Sequence, residues 1–219
     1  MKQPKQPRLK RITTRKLNKY LKDPDYIIKV AKRFGIPNPE DAVRNRSTFP
    51  CVIPGHDPLV CMAAIRKLPD GKYVYVDDLN NSRTSYYFQT VFQGMVTGTI
   101  PTEKTTNAMA MAYTMRLLIE TGAERPYPVQ LLPLPDDATE DHRRVYDGFK
   151  LHLGGAWRSM EPGIAMPFAT SFAAPWCGFG SSSDFDQALG DLVKWGIIDE
   201  EPYMTNLPRY RPAVPKKLQ

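Results

Sequence analysis

The chain has 219 residues, 42% of them apolar, and a net charge of +7, enough to bury the core of one large or two small domains. No stretch approaches the roughly 20 consecutive apolar residues of a membrane span, and the basic N-terminus has no apolar run behind it, which argues against a membrane or secreted protein. Three cysteines are too few, and odd in number, for a disulfide framework, and they fit a reducing, cytoplasmic compartment.

The charge is unevenly placed. Residues 1–22 hold Lys2, Lys5, Arg8, Lys10, Arg11, Arg15, Lys16, Lys19 and Lys22 and no acid, a basic arm of +9 on a body that sums to −2. Such density favours a phosphate backbone, because each cation near a phosphate releases condensed counterion. The plain alternative is a solvated tail. DNA is the expected partner, which would place the protein at the nucleoid.

Residues 23–48 carry a short helix and a connection. In "DPDYIIKVAKRFGIP", Tyr26, Ile27, Val30, Ala31 and Phe34 recur at helical spacing, with Asp23 as N-cap, Pro24 in the first turn and Gly35 as the stop. Residues 59–77 read as a β-hairpin: "LVCMAAIRKL" and "KYVYVD" are joined by Pro69-Asp70-Gly71. Val74 and Val76 share one face and Tyr73 and Tyr75 the other, so one face can pack on a core and the other can show aromatics. Helices are predicted from about Tyr87 to Gly94 or Gly98 and from about Thr105 to Thr121, the second with a stripe of Ala108, Met111, Ala112, Met115, Leu118 and Ile119.

The proline-rich stretch 123–138 has neither period and reads as a semi-rigid linker between a domain at 49–122 and one at 139–212, with a tail at 213–219. In the second domain the pattern gives a helix over 140–157, a short strand at 165–168, a helix over 170–176, a glycine turn at 178–181, a helix over 183–195, and a β return from Ile197 to Arg211. Two helices across a tight turn, then a β return, are the plan of a winged helix-turn-helix.

"FPCVIPGHDPLVC", residues 49–61, places Cys51, His56 and Cys61 within thirteen positions. A structural zinc site wants four ligands, usually as two pairs on two turns, and this segment offers three at most. Cys-Pro-Gly-His-like spacing followed by a hairpin, a paired position and a helix ending in Gly resembles the Cys-His-Cys-Cys zinc ribbon of bacterial primases and of related replication proteins of plasmids and phages. The resemblance covers about residues 49–98. It matches Cys51 and His56 to the first ligand pair, whereas Asp77, Asp78, Asn80 and Asn81 stand where two thiolates belong. The expectation is therefore a degenerate ribbon that buries its cysteines and holds no cofactor. Zinc is retained only if Cys51, His56, Cys61 and Asp78 converge. On the ribbon surface Arg66, Lys67 and Lys72 border the hairpin, and Tyr73 and Tyr75 offer π-faces to unstacked bases or else cover a neighbouring helix.

"MPFATSFAAPWCGFGSSSDFDQALGDLVKWGII" is similar to the winged-helix segment that follows the zinc ribbon in a set of replication proteins of bacterial mobile elements. The similarity lies in core positions such as Trp176, Leu189, Leu192 and Ile197, which speak for fold and not for activity. The predicted reading helix shows Asp184, Asp186 and Asp191, and residues 184–201 hold six acids against one base. Like charge opposes the phosphate backbone, so this helix is expected to bind a partner protein, with Phe185 or Trp195 as anchors if exposed.

No phosphate-cradling loop and no carboxylate cluster for two metals is present, so no enzyme is expected. The fold class expected is α+β, a small zinc-ribbon-like hairpin with helices linked to a winged helix. The function expected is that of a primase-associated or plasmid/phage-type replication accessory, its N-terminal half on single-stranded DNA or a duplex edge and its winged helix recruiting a replication protein. The alternatives are a protein-only adaptor or assembly subunit, and a transcription regulator.

Overall fold

The structure is a computed structural model that describes residues 11–79, 82–101, 106–201 and 207–213. Three short helices open the chain, α1 (Thr14–Tyr20), α2 (Pro24–Arg33) and α3 (Pro39–Arg44). Asp23 caps α2 by accepting from the Asp25 backbone N–H, and Pro24 occupies its first turn, where no backbone donor is needed. A four-stranded antiparallel sheet follows in the order β1 (Phe49–Pro50), β2 (Met62–Lys67), β3 (Tyr73–Leu79) and β4 (Ser82–Tyr86). Two helices complete this half: α4 (Phe88–Thr97), ended by Gly98 in the left-handed conformation, and α5 (Asn107–Glu120).

The C-terminal half runs α6 (Glu140–Ala156), β5 (Met166–Pro167), α7 (Thr170–Trp176), α8 (Ser182–Lys194), β6 (Ile198–Glu201) and β7 (Arg209–Pro212). Its three strands form an antiparallel sheet in the order β5-β7-β6. The molecule is thus α+β, with one sheet in each half. Among the described residues no helix is long and apolar enough to cross a membrane.

One line of rings carries the core from half to half: Phe34 stacks on Phe92, Phe92 meets Tyr113, and Tyr113 meets Trp176 and Phe172. The proline-rich segment lies against α6, where the Tyr127 N–H donates to the Gly154 carbonyl at 2.9 Å and the Tyr127 ring meets Trp157. Glycines in α6 allow these approaches. A side chain at Gly148 would run into the Cys177 thiol, and one at Gly154 would lie 3.0 Å from Pro126.

Two sequence expectations change here. The basic stretch does not remain an arm up to residue 22, because α1 docks on the body: Ile12 is buried and its N–H donates to the Arg158 carbonyl at 2.8 Å, and the Tyr20 hydroxyl donates to Glu124 at 2.6 Å. The segment after the first hairpin, to which the sequence reading assigned no strand, forms β4, which pairs Thr84 with Asp77 and Tyr86 with Tyr75. Short strands lacking a long apolar alternation, such as β1 and β4, carry little periodic signal.

Candidate metal centre

Strand parity builds the site. β2 pairs with β1 on one side and β3 on the other, with Phe49 opposite Ala63 and Ala63 opposite Asp77. Alternate residues share a face, so Phe49, Ala63, Ile65, Tyr75 and Asp77 point the same way. Cys51, two residues past Phe49, and Cys61, two before Ala63, continue that row, and the Cys51 N–H donates to the Cys61 carbonyl at 2.9 Å. Between them the loop folds back at Gly55, which adopts φ +84°, and delivers His56 to the same place.

Cys51, His56, Cys61 and Asp77 each point a donor atom into one volume, all four within 4.8 Å of one another. The His56 Nδ1 stands 3.5 Å from the Cys51 sulfur, 3.7 Å from the Cys61 sulfur and 3.2 Å from the Asp77 Oδ2. An ion at ordinary zinc bond lengths in a tetrahedron would separate sulfur from nitrogen by about 3.6 Å and nitrogen from oxygen by about 3.4 Å. The three edges that meet at the His56 nitrogen match. Hydrogen bonding alone accounts for them poorly, since one ring nitrogen offers a single proton or a single lone pair to three neighbours.

The electrostatics point the same way. The second Asp77 oxygen, Oδ1, is buried without a hydrogen-bond partner. Burial raises the Asp77 carboxyl above its usual range, against the opposing pull of His56. Burial, with the neighbouring Cys51 and Asp77, pushes the Cys61 thiol up to about 12. Three buried lone-pair donors and a partly buried imidazole with little counter-charge are costly as an empty cluster, and a divalent cation at their centre reverses each of those directions. Two sulfurs, an imidazole and one carboxylate suit zinc, and four protein donors with no open position make a structural site. The Tyr75 hydroxyl braces it, 3.3 Å from the Cys51 sulfur while accepting from the Val52 N–H at 3.0 Å.

This geometry corrects two sequence assignments. Asp78, expected as the fourth ligand, faces the other side of β3 beside Arg83, and Asp77 takes its place. Tyr75, expected to offer a π-face to bases, is fully buried beneath the cluster. Cys51 and Cys61 are buried, as expected, and with His56 and Asp77 they form a cluster consistent with a zinc-ribbon-like site.

The remaining predicted residues are dispersed. Lys2, Lys5, Arg8 and Lys10 lie outside the described residues. Arg11, Arg15, Lys19 and Lys22 are exposed, whereas Lys16 pairs with the buried Glu124, which also holds Arg158 at 2.6 Å. Arg66 donates to the Arg46 carbonyl at 2.8 Å, Lys67 lies over the Tyr73 ring, and Lys72 pairs with Asp70 at 2.8 Å. On α8, Asp184 is exposed, Asp186 accepts from the Thr170 hydroxyl at 2.6 Å, and Asp191 contacts His142 at 3.3 Å and Lys194 at 3.0 Å. Two of the three expected partner-binding acids are therefore engaged within the chain. Phe185 is fully buried, and Trp195 rests half-exposed against His142.

Comparison with protein-family models, with curated proteins and with solved structures finds no match for this chain.

Proposed function

We propose that this protein is a zinc-held, nucleic-acid-binding accessory of the replication type, with the metal fixing the N-terminal sheet and a basic surface on that half contacting DNA. The observation that carries the metal part is the convergence of Cys51, His56, Cys61 and Asp77 within 4.8 Å, with the three separations from the His56 nitrogen at tetrahedral values. Zinc supplies no chemistry to a substrate in this reading. It neutralises the thiolates and the buried carboxylate and ties the end of β1 to β2 and β3.

The nucleic-acid part is supported by charge. Nine cations and no acid lie in residues 1–22, and the N-terminal half also holds the hairpin cations Arg66, Lys67 and Lys72. The order helix, strand, helix, helix, strand, strand over residues 140–212, with a glycine turn at Gly178, supports a winged-helix-type second half. Its acidic α8 fits a surface for a protein partner better than a groove reader, with exposed Asp184 as the residue left for that contact.

The test uses the full-length chain purified without chelator. Metal analysis is expected to give one zinc per chain, and labelled single-stranded DNA is expected to bind with an affinity that falls steeply between about 50 mM and about 200 mM salt. A folded protein without zinc overturns the metal part. Absence of DNA binding at the lower salt overturns the nucleic-acid part and leaves a protein-only adaptor.

A further inference from the structure

The face of the first sheet that carries the metal cluster continues through Tyr75 and Ile65 to the opposite end of the strands, where Lys67 stands across from Tyr73. There a cleft of about 310 Å³ is lined by Pro24 of α2, Val43 and Arg44 of α3, Arg46, and Ile65, Lys67 and Tyr73 of the sheet. Its floor is apolar and its rim is cationic. Lys67 lies 5.6 Å from the centre of the Tyr73 ring, so a positive charge and a half-exposed aromatic face the same opening.

Arg46 is set there by its backbone. It adopts φ +59°, a left-handed conformation that an arginine takes at a cost, and the Arg66 guanidinium holds its carbonyl at 2.8 Å. Beside the cleft, Lys22 lies along the hairpin turn, 3.7 Å from where a side chain at Gly71 would start, and Lys72 follows it. Three cations line the cleft, Arg44, Arg46 and Lys67, and Lys22, Arg66 and Lys72 lie on the segments beside it. Two carboxylates answer them, Asp25 on Arg44 and Asp70 on Lys72. Arg46 and Lys67 have no acidic partner among the described residues.

We propose that this cleft is the seat of a single DNA strand, with one base stacked on Tyr73, its flanking phosphates on Arg46 and Lys67, and the strand continuing past Lys22 and Lys72 at the hairpin tip. This inference rests on the nucleic-acid reading above and gives it an address. An unpaired strand suits the site because a lone half-exposed ring beside cations can take an unstacked base, which a duplex does not present. Arg44, held by Asp25 at 2.5 Å, forms a wall of the cleft and is less free to move onto a phosphate.

The experiment is a fluorescence titration of labelled oligo-dT with the full-length chain and three variants, each checked for unchanged zinc content and circular dichroism. Arg46→Gln with Lys67→Gln should weaken binding tenfold or more and flatten the slope of log K against log salt by about 1.4, two lost single-strand phosphate contacts. Tyr73→Leu should weaken binding about fivefold to hundredfold and leave that slope alone, because stacking is uncharged. Arg143→Gln, on the exposed face of α6, should bind as the parent does. Oligo-rU at parent affinity in the same titration would extend the seat to single strands in general, whereas duplex DNA binding more tightly than oligo-dT would overturn the proposal. If the parent binds and the cleft variants bind equally well, the cleft is not the seat and the wider reading stands. If the parent does not bind at low salt, both fall.

Discussion

His56 and His152 occupy the two halves of the molecule and meet opposite surroundings. His56 sits at the rim of the first sheet with two sulfurs and a carboxylate oxygen within 3.7 Å of one nitrogen. His152 lies inside the second half among Phe168, Phe172 and Trp176, with one polar contact, Nε2 to the Pro167 carbonyl at 3.0 Å. Burial pulls the His152 pKa down to about 4, so the ring is neutral and acts as a core aromatic that donates one hydrogen bond. The number of lone pairs converging on an imidazole, more than its burial, separates a ligand from a packing residue.

The largest expected effect tests the first half of that contrast. Chelation, or Cys61→Ala, should destabilise the protein by about 4 kcal/mol or more and lower Tm by on the order of 10 °C, read from thermal melts with and without EDTA. A melt indifferent to EDTA in a protein that contains no zinc would make His56 a packing residue like His152.

Next comes a buried charge that belongs to neither pattern. Glu124 is desolvated, yet hydrogen bonds from Lys16, Tyr20 and Arg158 outweigh burial and hold its carboxyl below the usual range. Glu124→Gln should cost about 3–5 kcal/mol in denaturant unfolding, since buried Arg158 would lose the Glu124 carboxylate. Because the folded pKa is depressed, this stabilisation is complete above the unfolded carboxyl pKa of about 4.3 and lost as pH falls through the folded value.

His152 gives a pH signature of the opposite kind of group. Its folded form takes up a proton only near 4, whereas the unfolded chain does so near 6.5. The unfolded state therefore binds more protons between those values, and stability should fall by about 3 kcal/mol as pH drops across the window. Urea titrations at several pH values check this, and His152→Leu should flatten the dependence there. An unchanged slope in that variant would remove His152 from the account.

The smallest effect sharpens the ligand set. Asp78→Ala should change stability by no more than about 0.5 kcal/mol with zinc retained, since Asp78 is exposed beside Arg83. Asp77→Ala, one position away, should weaken zinc binding at least tenfold in a competition with a chromophoric chelator.

Most helices and the first hairpin were legible in the sequence because their apolar spacing and end signals agree, as with Asp23-Pro24 opening α2 and the glycine turn before α8. Three ligands were legible from the spacing of Cys51, His56 and Cys61. The fourth was not, although the alternation that decides it was available: Asp77 is two residues from Tyr75 and Asp78 is not. What spacing lacked was the register, because only the pairing of Ala63 with Asp77 tells which face meets the cysteines. The same gap placed Tyr75 on the surface. Arg44 and Arg46 were missed for a different reason, since their approach to Lys67 depends on how α3 packs on β2, a contact between segments about twenty residues apart.

The glycines of α6 bear on how the chain acquires its shape. Gly148, Gly154 and Gly155 let Cys177, the Pro126-Tyr127 segment and Met115 approach the helix closely, but together they forfeit about 3 kcal/mol of intrinsic helicity relative to alanine. Such a helix has little reason to exist before its neighbours arrive, and those neighbours come from both sides of the proline-rich segment. Acquisition of structure should therefore be all-or-none across residues 107–176, with a single melting transition, and a fragment beginning at residue 139 should remain largely without helix until the missing N-terminal portion is supplied in trans.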